Sequence, residues 1–164
     1  YGIDTVDKNN KFFKKNYSNI SGLNSRLDEI NSSILNFKLK KIDYFIKKRI
    51  VISKIYNQYL QNTSLILHKI DKQKFDVFHL YTVFHKKREV ITSKLLKKGI
   101  QTRVIYPYPI HKMKGYNKFF INQKFVNSEI KSKGIFSLPL YPNLKIKDVK
   151  IVCKTLVKIL NNLK

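Results

Sequence analysis

Apolar residues at three-and-four spacing run from Leu27 through Ile30, Ile34 and Phe37, on to Ile42, Phe45 and Ile46, and then to Ile52, Ile55, Tyr56 and Tyr59. That period lays them along one stripe of an α-helix and does not suit a strand, whose faces repeat every two residues. We therefore expect one long helix, straight or bent. Ser25 with Asp28 three residues later has the form of a capping box, which places the helix start at about Arg26. At about 1.5 Å per residue such a helix would approach roughly 50 Å, more than a domain of this size covers alone, so part of it should meet another domain or subunit.

Around this helix the chain is punctuated more finely. Residues 1–21 are polar, without sustained period, and read as an irregular lead-in; position 1 is Tyr rather than Met, so we expect a trimmed chain or a piece of a longer product. Residues 75–84 alternate and are rich in β-branched and aromatic side chains, which predicts a strand with Val77, His79, Tyr81 and Val83 on one face. A helix is expected over 86–98, ending at Gly99 in a left-handed cap. A second strand is expected over 101–106, stopped by Pro107 and Pro109. Further on, a helix over 123–133, a short strand over 135–138 and a closing amphipathic helix through Val149, Val152, Leu156, Ile159, Leu160 and Leu163 complete the pattern. Helices and strands in alternation describe an α/β (α+β) two-layer module, helices on a small sheet. With 164 residues, 43% of them apolar, there is material for one core, and we read 1–164 as a single domain.

The net charge of +24 raises a nucleic-acid or anionic-membrane surface. Its source is nearly all lysine, in excess together with Asn and Ile, as an AT-rich coding sequence would give; arginines, which make bidentate phosphate and base contacts, are few. A basic nucleic-acid-binding module is therefore the alternative and not the leading reading. The one cysteine, Cys153, cannot pair within the chain and falls among core positions of the last helix, and no Cys/His cluster has metal-ligand spacing. No apolar run approaches the roughly 20 residues of a membrane span, and nothing reads as a signal peptide, so a cytoplasmic location is expected.

Several short segments fall in one order along the chain. Gly22, Leu23, Asn24, Ser25, Arg26 and Leu27 resemble the Gly-x-Asn-x-Arg-Leu signature of the DegT/DnrJ/StrS family of pyridoxal-phosphate-dependent nucleotide-sugar aminotransferases. His79, Leu80 and Tyr81 are similar to its strand motif, and Lys98, Gly99, Ile100, Gln101 and Thr102 to its Lys-Gly-Ile-x-Thr turn. Tyr106 and Pro107, with Pro109, Ile110 and His111, match its Tyr-Pro-x-Pro-x-His segment, and residues 137–142 match Ser-Leu-Pro-x-Tyr-Pro. The resemblance covers nearly the whole chain but only about the last two-fifths of such an enzyme, its C-terminal small domain.

The physical reading of Asn24 and Arg26 stands beside this. At the start of a long helix, free backbone amides and the macrodipole favour an anion, and both side chains can donate to phosphate oxygens. The alternative is that Asn24 and Ser25 only cap the helix while Arg26 pairs with an acid. The resemblance implies that Asn24 reaches the cofactor phosphate of a partner subunit in a homodimer, and that Arg26 and Tyr106 lie at a nucleotide-diphosphate sugar, with glutamate as amino donor. The family commonly has His before that Tyr; here Ile105 stands there, and Arg103, two residues earlier, could offer the missing positive charge. His79 and His111 are read as structural.

Transamination also needs a lysine that bonds the cofactor's aldehyde carbon and shuttles protons. In the family it lies in a Ser-x-x-Lys segment of the large domain. Here only Ser128 and Lys131 fit that bare pattern, inside a helix and by chance. The resemblance thus implies binding groups without the reaction, with a lean to thymidine-diphosphate 3-keto-6-deoxy sugars. A non-catalytic dimerisation or regulatory relative is a further alternative.

Overall fold

The computed structural model describes residues 27–68, 74–113 and 116–163. Contacts divide the chain into two units, residues 1–42 and 43–164. In the first lies helix α1 (Glu29–Leu39), which buries none of its residues. Its cap is Asp28, whose carboxylate accepts the Asn31 N–H at 2.8 Å, so the helix begins three residues later than the capping-box reading placed it; Ser25 itself lies outside the described residues.

The single long helix is replaced by two. A turn at Lys40 and Lys41 separates α1 from α2 (Ile42–Leu60). The cause is visible in the spacing: from Phe37 to Ile42 the apolar stripe steps five residues, which at 3.6 per turn falls off the preceding face.

The second unit holds a three-stranded antiparallel sheet in the order β1 (Ile66–Leu67), β2 (Tyr81–Phe84), β3 (Ile135–Leu138). Tyr81 pairs with Leu138 and Phe84 with Ile135. Helices α3 (Arg88–Leu96), α4 (Val126–Gly134) and α5 (Ile146–Asn161) complete the mixed α/β fold. One core joins Ile52, Tyr56 and Leu60 of α2, Ile91 and Leu95 of α3, Tyr81 and Val83 of β2, Phe136 of β3 and the inner face of α5. Val149, Val152, Cys153, Leu156, Ile159 and Leu160 of α5 are all buried, as the helical period predicts. Burial pushes the Cys153 thiol up to about 11, so it stays protonated and inert at neutral pH. Two buried tyrosines carry their hydroxyls to partners: Tyr56 donates to the Pro139 carbonyl at 2.8 Å and Tyr81 to Asn57 Oδ1 at 2.7 Å. These bonds tie α2 to the sheet.

The strand expected over 75–84 survives only as β2. Phe78 takes φ 48°, with its N–H bonded to Asp76 Oδ1 at 2.9 Å; this turn shifts the alternation by one residue. Phe78 is buried and stacks with Tyr81 at 6.4 Å between ring centroids, whereas Val77 and His79 are exposed. His79 therefore does not pack beside Tyr81.

The strand expected over 101–106 reduces to one antiparallel bridge between Arg103 and Ser137, closed by bonds of 3.1 and 2.7 Å. Both flanking positions on β3 are blocked. Pro139 has no N–H to offer, and Ile135 has its N–H on Lys131 O and its carbonyl on the Arg88 guanidinium. Gly99 does adopt the left-handed cap, at φ 74°, with the Ile100 N–H on Leu95 O. Helix α4 starts at Val126, three residues later than expected, after Asn122 turns the chain at φ 64°. Among the described residues no helix is long and apolar enough to cross a membrane, and no group of three or more His, Cys, Asp or Glu could hold a metal.

Candidate functional site

The left-handed turn at Gly99 and the bridge from Arg103 to Ser137 bring two separate stretches side by side. Residues 98–101 with Arg103 form one wall of a concavity of about 650 Å³, residues 137–141 form another, and the first turns of α5 close it with Asp148, Ile151 and Val152. Leu138, Leu144 and Val152, all buried, make an apolar floor. The polar groups at its edge are Lys98, Gln101, Arg103, Tyr141 and Asp148. An apolar pocket of a few hundred cubic ångströms with a small set of convergent polar groups is the usual form of a small-molecule site. Two cations against one carboxylate favour an anionic ligand.

Arg103 lines this concavity, beside two of the segments singled out in the sequence. Tyr106 does not line this concavity; it lies three residues further on and is 72% exposed. Ile105 is exposed as well. Asn24 and Arg26 lie outside the described residues. Asp148 was not anticipated: an acid in the first turn of a helix is common for the dipole alone, so its sequence position carried no signal of a pocket.

His111 also has a partner the sequence did not announce. Its Nε2 lies 3.1 Å from Glu129 Oε1, and Lys112 Nζ lies 3.3 Å from the other oxygen. The hydrogen bond from His111, helped by Lys112, holds the Glu129 carboxyl below its usual range. A carboxylate depressed in the folded state stabilises at pH above its unfolded value, and that contribution fades only as the pH falls through the lowered one. A second polar pair, Ser64 Oγ and His85 Nε2 at 3.3 Å, has no nucleophilic character. His85 Nδ1 accepts the Lys87 N–H at 3.0 Å, so in the neutral ring Nε2 carries the proton and cannot take one from Ser64.

Every lysine among the described residues is solvent-exposed. A lysine that is to bond a cofactor aldehyde must lose its proton near neutral pH, which takes a desolvated or charge-crowded setting. The described residues do not fit pyridoxal phosphate in that covalent role.

The fold is that of solved aminotransferases. S. venezuelae DesV, determined in complex with a ketimine intermediate, superimposes with a TM-score of 0.81 over 92% of this chain and 41% of its own, at 24% identity. Bacillus subtilis ntda, solved with bound cofactor pmp, gives 0.75 over 90% of this chain and 36% of its own, at 25% identity. Residues 1–157 match the DegT/DnrJ/EryC1/StrS aminotransferase family, and the chain belongs to it. Among curated relatives, the dTDP-3-amino-3,6-dideoxy-alpha-D-galactopyranose transaminase of Aneurinibacillus thermoaerophilus is 34% identical over 139 residues, 84% of this chain and 38% of that protein. The chain therefore spans about two-fifths of the length of such a relative.

Proposed function

We propose that this chain is the small-domain part of a nucleotide-sugar aminotransferase, holding the sugar nucleotide while a large domain outside these residues carries the reactive lysine. The observation that carries this reading is the convergence of residues 98–101, Arg103 and residues 137–141 on one cation-edged concavity. Arg103 binds a phosphate of the nucleotide diphosphate through charge-assisted hydrogen bonds, with Lys98 adding charge. Asp148 accepts from a hydroxyl or base N–H, and the apolar floor excludes water from one face of the ligand. Tyr106, exposed three residues beyond Arg103, donates its hydroxyl to the same ligand.

Asn24 reaches the cofactor phosphate of the partner subunit in a homodimer, and Arg26 lies at the nucleotide diphosphate of the sugar substrate. The whole enzyme would hold pyridoxal phosphate, which would supply the electron sink for moving an amino group from glutamate to the keto carbon of the sugar. The transaminase of Aneurinibacillus thermoaerophilus named above supports a thymidine-diphosphate 3-keto-6-deoxy sugar as the acceptor. On this reading the chain works in the cytoplasm.

Calorimetric titration of the chain with dTDP tests this. We expect binding that weakens with salt, and a loss of about 10- to 100-fold in Arg103→Ala, the worth of a hydrogen bond to a charged group. Undiminished affinity in Arg103→Ala, or no binding of dTDP or UDP, would remove the basis for the reading.

A further inference from the structure

After the bridge to Ser137 at Arg103, the chain that carries Tyr106 makes no hydrogen bond to another element among the described residues until His111. Within that stretch the only backbone bonds are local ones that close the 3-10 turn Ile110–Lys112. His111 is the second anchor. Its side chain is 9% exposed, its ring lies against Phe125 at 4.8 Å, and Phe125 meets Phe120 edge-on at 5.6 Å. Glu129, the acceptor of its hydrogen bond, sits in the first turn of α4, whose last residue runs directly into β3. An ionised carboxylate only accepts, so His111 Nε2 carries the proton and donates it. Exposed ion pairs order little, but here the imidazole is withdrawn from water and held by a ring, so the bond has a fixed direction.

We propose that Glu129 is a positioning residue: by holding His111 it pins the far end of the segment 104–110 and so fixes Tyr106 where the sugar nucleotide binds. The proposal rests on the reading of Tyr106 as a ligand contact. Two anchors, one on β3 and one on α4, leave a short bridge; with the second removed, Tyr106 becomes part of a strand held at one end. Its hydroxyl must then be ordered at the moment of binding, which costs affinity without any change in the contact itself.

Two readouts separate positioning from a general structural role. The first is a double-mutant cycle in dTDP affinity on the 164-residue chain, since residues acting through one another are non-additive. We expect Tyr106→Phe and Glu129→Ala each to weaken binding about tenfold, and the pair to be little worse than either alone, because a loosened Tyr106 has little left to lose. Glu129→Gln keeps an acceptor and restores most of the affinity, while His111→Leu keeps the apolar fill against Phe125 and loses binding as Glu129→Ala does. The second readout is the backbone order parameter at the Tyr106 amide, expected to fall from about 0.85 to below about 0.6 in Glu129→Ala. Additive losses in the cycle, or a Tyr106 amide as ordered as before, overturn the proposal. Should the unmodified chain bind no dTDP, the sugar-nucleotide reading falls and the order parameter alone decides whether Glu129 holds the segment.

Discussion

Replacing Phe136 with alanine is expected to destabilise the chain by about 3–5 kcal/mol, as for other buried aromatics truncated in a packed core. Phe136 is 1% exposed at the centre of β3, opposite Val83 of β2 and within the same cluster as the inner face of α5. β3 is an edge strand of the three-stranded sheet, but Phe136 belongs to the packed cluster that α5 shares, where neighbours relax only partly into a void. Urea denaturation followed by circular dichroism reads the loss directly, with Phe119→Ala as the control. Phe119 is largely exposed, and its truncation should change stability by less than about 0.5 kcal/mol. Equal effects at the two positions would contradict the assignment of β3 to the core.

Gly134→Ala is the second large effect expected, and its cause is different. Gly134 closes α4 where the chain passes into β3, and its carbonyl accepts the His85 N–H at 3.1 Å. A methyl group there would meet the Phe84 ring and lie 2.8 Å from the His85 carbonyl oxygen. The ring is buried and the carbonyl belongs to backbone already hydrogen-bonded to Gly134, so neither can yield cheaply. Overpacking of this kind costs about 1–3 kcal/mol, offset by at most about 1 kcal/mol of helix propensity gained by alanine. A net loss of stability is expected in the same denaturation assay. A variant as stable as the parent would mean that α4 and the end of β2 are further apart than described.

The elements written in a strong period were legible. Helix α5 follows from its apolar face, β3 from its bounded run between Gly134 and Pro139, and the cap at Gly99 from the one residue type that takes a left-handed turn without cost. Other features had no local signature. Lysine is a good helix former, so nothing in Lys40 or Lys41 announces the break between α1 and α2; only the five-residue step from Phe37 to Ile42 carries it. Phe78 in the left-handed region is unusual for a bulky residue, and it inverted the expected faces of the strand before β2. The edge ladder at Arg103 stopped after one bridge because Ile135 had spent its backbone groups on α4 and Arg88, a matter of tertiary context.

The site divides the same way. Arg103, singled out from its place two residues before Ile105 in a segment that resembles the family's, lines the concavity. Asp148 and Glu129 could not be found, since each acquires meaning only from partners brought to it by the fold: the wall of residues 98–101 with Arg103 for one, and His111, 18 positions earlier, for the other. Asn24 and Arg26, on which the anion-binding reading of the helix start depends, lie outside the described residues and remain a proposal.

The claim at the centre is that this chain supplies binding groups and not the reactive amine. Incubating it with pyridoxal phosphate at near-stoichiometric concentration, reducing with borohydride and mapping the labelled peptides by mass spectrometry tests it most directly. Low, scattered labelling across the exposed lysines is the expected result; stoichiometric modification of one lysine would contradict it.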